Sequence, residues 1–379
     1  MLGSIIGDII GSRFELNNTH DIDFELFTNE SKFTDDTVLT VAVSNALVYK
    51  TDYALKIKEY GLKYPNAGYG KLFKNWLFER DGPKGNSYGN GSAMRVSPIA
   101  YVYDDLELVL NEIEASCLIT HNHEDAIRGA KAIGSCIFLA NKNKNKEFIK
   151  SYVENNFHYN LDFTIKSIRG IYKFDSSCNG SVPQAIVAFL EADSFIDSIK
   201  LAISIGGDSD TIAAMTGAIS EAYYKVIPED IICNSLDRLT IDLKDDILKF
   251  YSKYTNILIL KGIEFFELPI RIAESLIENK SNEFSIVQRS LIGVIDERGE
   301  KIIYNDGTKL PNQESYSNRY YEKVGALVRR KVDNKLFLTV YGGGYLEGTS
   351  FCWPPYEIER PIFIECTERL FNSFFSILK

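Results

Sequence analysis

Two stretches far apart in this sequence carry the same oxygen-rich chemistry at the start of an apolar run, and any fold of the chain has to accommodate both. The first is Thr34-Asp35-Asp36-Thr37, preceded by Phe33 and followed at once by VLTVAVSNALVY. The second is Gly206-Gly207-Asp208-Ser209-Asp210-Thr211, followed by IAAMTGAISEAYY. Both runs are apolar on most faces and free of proline, the pattern of a buried helix. The acids therefore fall on first turns, where free N–H groups and the helix dipole favour carboxylates; Asp208 or Ser209 suits the N-cap position. Gly206 and Gly207 let the backbone turn sharply just before it. Capping needs one carboxylate or hydroxyl per helix, and four acids with three threonines exceed that. Four close carboxylates in a water-poor place repel one another and resist ionisation. A divalent cation removes the conflict, and an all-oxygen set without Cys or His points to Mg²⁺, Mn²⁺ or Ca²⁺ rather than Zn²⁺.

The pairing of TDDT with GGDSDT resembles the ADP-ribosylglycohydrolase family, whose prototype is the glycohydrolase that reactivates dinitrogenase reductase. The resemblance implies an all-α catalytic domain, an orthogonal helical bundle over residues 1–258, with the two motifs at neighbouring helix starts. It implies a Mg²⁺-dependent hydrolase that cleaves the glycosidic bond of ADP-ribose conjugates. Thr34, Asp35, Asp36, Asp208, Asp210 and Thr211 would hold two metal ions, Mg²⁺ with Mn²⁺ as an alternative. Asp36 or Glu15 would orient or deprotonate the attacking water, and the sequence leaves both open.

Other segments extend the resemblance. Gly3, Gly7 and Gly11 recur every four positions, giving a first helix a smooth face for close packing. Glu15, just beyond that helix, matches a family glutamate that reaches toward the metals; otherwise it is a solvated helix end. Gly68-Tyr69-Gly70 before KLFKNWLFE is a glycine-rich turn opening a helix, suited to a phosphate and matching the family's diphosphate loop. Asn86 to Pro98 is dense in Gly, Asn and Ser and resembles the family's SYGNGxxMR loop, which assigns Ser87, Tyr88, Gly89 and Asn90 to the substrate. Arg95 fits a buried ion pair at least as well as a ligand contact. Of the two histidines in Thr120-His121-Asn122-His123, the family's TH motif puts His121 beside the substrate, and His123 reads as a capping or surface residue. Residues 141–148 (NKNKNKEF) read as a solvated basic loop, residues 176–183 as a turn cluster opening the helix QAIVAFLEA with Cys178 structural, and residues 237–254 as a closing amphipathic helix.

Composition sets the outer bounds. A chain of 379 residues with 45% hydrophobic and 25% charged residues is a globular protein large enough for one big domain and a smaller one. A formal charge of -10 argues against bulk electrostatic binding to nucleic acid. The six cysteines form no CxxC pair and read as reduced thiols of a cytoplasmic protein. The N-terminal apolar stretch is broken by Asp8 and Arg13, unlike a signal peptide, and no run is long enough for a membrane span. From about Lys261 the pattern changes to alternating β-branched and aromatic residues with DERG and DNK turns, predicting hairpins and a last helical run at residues 367–378. Residues 262–379 are thus expected to form a small α+β domain, outside the resemblance, that supplies target recognition through Tyr320, Tyr321, Arg329, Arg330 and Trp353. Gly342-Gly343-Gly344 reads as a turn. Three alternatives stay open: hydrolysis of small ADP-ribose conjugates, a non-catalytic ADP-ribose reader, and a Ca²⁺-stabilised structural protein, the last leaving the SYGNG and TH segments unexplained.

Overall fold

The computed structural model describes residues 1–78, 85–254, 265–267, 284–296, 301–304, 320–346, 349–352, 362–365 and 368–374. The chain divides into two compact units, Met1–Lys261 and Gly262–Lys379. The described part of the first is helical throughout: α1 (Leu2–Gly11), a 3-10 turn (Ser12–Phe14), α2 (Asp35–Tyr49), α3 (Tyr53–Lys63), α4 (Lys71–Phe78), a 3-10 turn (Asn90–Ser92), α5 (Ile99–Val102), α6 (Leu106–Cys117), α7 (Glu124–Asn141), α8 (Lys146–Phe157), α9 (Ile165–Ile168), α10 (Cys178–Glu191), α11 (Phe195–Ser204), α12 (Ser209–Tyr224), α13 (Glu229–Leu236) and α14 (Ile241–Lys253). No helix among the described residues is long and apolar enough to cross a membrane.

Helix α12 is the axis of this unit. It is buried from Ser209 to Ala222 and packs against α1, α7, α10 and α11. Helix α1 is buried along its whole length, and Ile5, Ile6, Ile9 and Ile10 are fully inside, each worth ~1.5–3 kcal/mol of transfer free energy. The two helices touch backbone to backbone along the glycine stripe. A Cβ on Gly3 would strike the Gly217 carbonyl, one on Gly7 the Ala213 carbonyl, and one on Gly11 would lie 2.6 Å from the Cα of Asp210. The last contact is the consequential one, because it sets the end of α1 against the first turn of α12. Gly7→Val is accordingly expected to prise the pair apart and cost more than the ~1–3 kcal/mol of ordinary overpacking, since the obstacle is backbone. A fall in the urea midpoint at unchanged slope would register it; an unchanged midpoint would show that the helices separate freely.

Several boundaries differ from the sequence-based expectations. Helix α10 begins at Cys178 rather than after Pro183, with Ser177 accepting from the Gly180 N–H as its cap and Pro183 inside the helix. The basic run at residues 141–148 keeps a loop only at residues 142–145: α7 extends to Asn141 and α8 starts at Lys146, capped by Asn145 accepting from the Phe148 N–H. An asparagine in a lysine-rich stretch is a cap first and a loop residue second. The closing helix α14 starts at Ile241, later than residue 237.

In the second unit the described strands are β1 (Phe265–Glu267), β2 (Phe284–Asp296), β3 (Lys301–Tyr304), β4 (Tyr320–Arg330), β5 (Leu336–Leu346), β6 (Thr349–Cys352) and β7 (Ile362–Glu365), followed by α15 (Glu368–Phe374). They form one antiparallel sheet in the order β1-β7-β5-β4-β2-β3, with β6 added to β5. β4 and β5 make a hairpin in register Leu327↔Leu338 and Val328↔Phe337, and Asn334 at φ 64° lies in its turn, where asparagine tolerates the left-handed region. The expected glycine turn is corrected here: Gly342, Gly343 and Gly344 lie within β5, paired with Lys323, Glu322 and Tyr321. Trp353 and the DERG segment beyond Asp296 lie outside the described residues.

Candidate active site

The two acid motifs meet. The 3-10 turn after α1 and the starts of α2 and α12 form the floor of a cleft of about 680 Å³, lined among others by Glu15, Thr34, Asp35, Asp36, Asp208, Asp210 and Thr211. Carboxylate oxygens of Asp8, Asp36 and Asp210 fall within 4.8 Å of one another, as do those of Glu15, Asp208 and Asp210. The two groups share Asp210, so two positions for a metal ion adjoin each other.

Local structure explains how six acids are held there. Gly206 and Gly207, at φ 83° and 73°, throw the chain into α12 so that Asp208 occupies its N-cap position. Asp208 makes no side-chain capping bond there. Its Oδ2 instead accepts from Asn90 Nδ2 at 2.7 Å, so a role other than capping holds the carboxylate. Asn18 fixes the same turn from the other side: its Oδ1 accepts from the Gly207 N–H, while its Nδ2 donates to the carbonyls of Gly207, Phe14 and Glu15.

At the α2 start, Thr34 is the N-cap, and its hydroxyl donates to Asp8 Oδ1 at 2.7 Å. Thr211 donates its hydroxyl to Asp36 Oδ2 at 3.1 Å. Both threonines thus give their protons to carboxylates, which leaves oxygen lone pairs to offer a cation. Asp8 Oδ2 also accepts from the N–H groups of Thr34 and Thr37 and from the Thr37 hydroxyl, while Oδ1 takes the Thr34 hydroxyl alone and keeps a lone pair. Asp8 anchors α2 to α1. Asp36 Oδ1, by contrast, is buried with no hydrogen-bond partner.

The electrostatics point the same way. Burial first, then the charges of its neighbours, raises the Asp35 carboxyl to about 7 and pushes Asp36 and Asp210 well above the usual range. Asp8 and Asp208 are raised by burial against the hydrogen bonds they accept, and Glu15 by burial and then by Asp208 and Asp8, offset by Lys32. Hard oxygens alone, an orphaned buried carboxylate oxygen and mutual repulsion make a donor set that fits one or two divalent cations.

The cleft walls carry most of the other predicted residues. Gly68 and Gly70 line it where the chain enters α4, as do Ser87, Gly89 and Asn90 of the polar loop and His121 of the turn before α7. The loop is pinned by a Gly89↔Ser177 bridge and by Asn90 N–H donating to the Ser176 carbonyl at 2.8 Å. Two expected contacts are not on the cleft wall. Tyr69 is 2% exposed and stacks on Phe73 at 4.9 Å, and Tyr88 is 59% exposed and meets His123 edge-on. In a turn, consecutive side chains diverge, so the flanking glycines face the cleft and the tyrosines do not. His123 caps α7, accepting from the Asp125 N–H. Cys117, Cys136, Cys178 and Cys233 are buried, and burial pushes the Cys178 thiol up to about 12.

Two residues of the site were missed in the sequence. Asp8 carried a readable signal, as an acid inside the otherwise apolar, glycine-striped α1. Asn18, in an unremarkable polar stretch, carried none.

Comparison with known proteins agrees with this geometry. The ADP-ribosylglycohydrolase family model matches residues 1–256. ADP-ribosylhydrolase ARH3 of Homo sapiens is 27% identical over an alignment covering 63% of this chain and 92% of its own length. ADP-ribosylarginine hydrolase Tri1 of Pseudomonas putida (strain GB-1) is 25% identical over 60% of this chain and 70% of its own. A solved structure, titled ADP-ribosylglycohydrolase-related protein complex, shares the fold with a TM-score of 0.50 at 20% identity, covering 67% of this chain and 95% of that one. With the family model spanning the whole helical unit and the paired acid motifs meeting at its cleft, the chain belongs to the ADP-ribosylglycohydrolase family and is a hydrolase of glycosyl bonds.

Proposed function

We propose that the chain is a Mg²⁺-dependent hydrolase that removes ADP-ribose from a macromolecular target by cleaving the bond at its anomeric carbon. The observation that carries this reading is the pair of acid groups sharing Asp210 on the floor of a cleft whose walls are glycine-rich and polar. Thr34, Asp35, Asp36, Asp208, Asp210 and Thr211 would hold two Mg²⁺ ions, with Mn²⁺ as a substitute. When bound, such cations anchor ribose hydroxyls and acidify water. Gly68 and Gly70, at the entrance to α4, offer a diphosphate backbone N–H groups without side-chain obstruction, and Lys32 and Lys71 stand at the same cleft. Ser87, Gly89, Asn90 and His121 face the rest of the ligand. Asn90 has a second task, because its amide already holds Asp208.

Of the two acids left open by the sequence, Glu15 suits the general base better. Asp36 is 2% exposed and holds the Thr211 hydroxyl, whereas Glu15 is half-buried at the cleft, with its pKa raised by burial and by Asp208. Glu15 takes a proton from water as the oxygen bonds to the anomeric carbon, the bond to the leaving nitrogen or oxygen breaks, and the leaving group picks up a proton. The testing experiment is release of free ADP-ribose from a panel of defined conjugates, with Mg²⁺ and after exhaustive chelation. Release that needs the metal is expected. Tight ADP-ribose binding with no release from any conjugate would hand the site to a non-catalytic reader, and full activity after chelation would remove the metals from the mechanism.

The unit Gly262–Lys379 is proposed to recognise the target. Arg330 is tied to Asp333 at the β4–β5 turn and lies over the Phe337 ring, and Arg329 Nη1 donates to Asn334 Oδ1 at 3.2 Å, so these arginines brace the turn as well as presenting charge. Truncation at Lys261 is expected to preserve cleavage of a small ADP-ribosyl conjugate and to weaken cleavage of the macromolecular one. A folded truncation that loses both equally would place the second unit in the active site or its stability.

A further inference from the structure

Arg95 is a fully buried cation: it is 0% exposed, and among the described residues no carboxylate pairs with it, so the ion pair, one of the two readings the sequence left open, is not found there. Burial lowers its pKa to about 10, which leaves it protonated at neutral pH. Its Nη2 donates to the Ser116 carbonyl and to Thr120 Oγ1, each at 2.9 Å. Arginine only donates, so one lone pair of the Thr120 hydroxyl is taken. Thr120 Oγ1 is also 2.7 Å from His121 Nδ1, and among the described residues it meets no other acceptor. Thr120 is buried, and an unmade hydroxyl bond there would cost ~1–3 kcal/mol. The hydroxyl proton therefore goes to Nδ1, which must carry a lone pair, and the ring proton sits on Nε2. That nitrogen points at the side-chain-free surface of the polar loop: Cβ atoms on Gly91 and Gly89 would lie 3.1 and 3.7 Å from it. His121, Gly89 and Gly91 all line the cleft.

We infer that Arg95 and Thr120 form a relay that fixes His121 as a neutral Nε2–H donor aimed into the cleft, selecting a ligand oxygen that accepts, a phosphate or ribose oxygen of ADP-ribose. The ligand's identity rests on the proposed function; the relay does not. Burial, and then the charge of Arg95, holds the His121 pKa well below its ordinary value, in keeping with a neutral ring. A neutral donor can stand in a cleft with divalent cations, where an imidazolium would add repulsion. Arg95 and Thr120 are positioning residues, acting through His121.

The test is nitrogen NMR of the full chain labelled at its four histidines, with the His121 signals assigned by their loss in His121→Gln. At neutral pH, wild type is expected to show Nε2 protonated and Nδ1 bare. Thr120→Val, which keeps the shape and removes the hydroxyl, is expected to give mixed tautomers and to weaken ADP-ribose binding about tenfold. Thr120→Ser is expected to restore both. A protonated Nδ1 in wild type overturns the relay whether or not Thr120→Val folds, as does an unchanged tautomer in a folded Thr120→Val. A shifted tautomer with unchanged affinity overturns the recognition role. Wild type with the Nε2–H tautomer and no ADP-ribose binding supports the relay and overturns the functional reading instead.

Discussion

Asp208→Asn and Asp36→Asn are each expected to reduce release of ADP-ribose by about a thousandfold or more, while the protein stays folded. Each substitution removes a full charge from the proposed shared cation site. Several kcal/mol of transition-state stabilisation depend on such a site, and about 4 kcal/mol corresponds to a thousandfold in rate. The fold survives because neither carboxylate holds it. Asp208 does not cap α12, and the amide that replaces it can still meet Asn90 through its oxygen. Asp36 has one buried oxygen with no partner, and the other receives the Thr211 hydroxyl, which an amide oxygen accepts equally well. Both changes also relieve repulsion among the acids in the metal-free protein. The readouts are free ADP-ribose against time under saturating Mg²⁺, and thermal unfolding under chelation. Full activity in either variant would sink the two-metal mechanism; loss of activity accompanied by unfolding would make the acids structural.

The elements that carried this reading were legible for particular physical reasons. Helices α2 and α12 announce themselves because an apolar run on all faces belongs to a buried helix, and because their acid-rich starts exceed the needs of capping. The stripe Gly3, Gly7, Gly11 predicts close packing, and its partner could be found only in three dimensions, where it is Gly217, Ala213 and Asp210. What stayed hidden was connectivity between polar groups. Nothing in the sequence ties Asn18 to Gly207, Asn90 to Asp208 or Arg95 to Thr120, since each pair joins elements far apart in the chain or turns on the direction of a side chain. The positions of Tyr69 and Tyr88 off the cleft wall were hidden for the related reason that a motif places a residue in a loop without saying which way it faces. Pro183 and Gly342–Gly344 show the limit of reading breakers locally: the first sits inside α10, the second inside β5, because neighbouring pairing outweighs single-residue preference.

Without metal, the protein is expected to lose stability as the pH is raised through neutrality, the reverse of ordinary acid denaturation. A carboxyl whose pKa is raised by folding keeps its proton in the folded state at pH values where the unfolded chain has released it. Over that window the folded form binds more protons, so unfolding becomes easier as protons are withdrawn. For Asp35 the window runs from 3.8 to about 7, and its share is ~4 kcal/mol, present in full below the lower value and lost above the upper. Asp36 and Asp210 are raised further by the same burial and repulsion, extending the decline upward in pH. A bound cation inverts this, because it stabilises the ionised set, and at a hundredfold excess over its dissociation constant it adds ~3 kcal/mol of its own. The melting temperature in chelator is therefore expected to fall between about pH 5 and 8, and saturating Mg²⁺ is expected to abolish the fall and raise the melting temperature most at the alkaline end. Asp35→Asn should flatten the chelated curve while leaving its acid end in place. A chelated melting temperature that is flat or rises over that range would mean that the acids are neutralised by groups of the protein itself, and the case for cations resting on their mutual repulsion would fall.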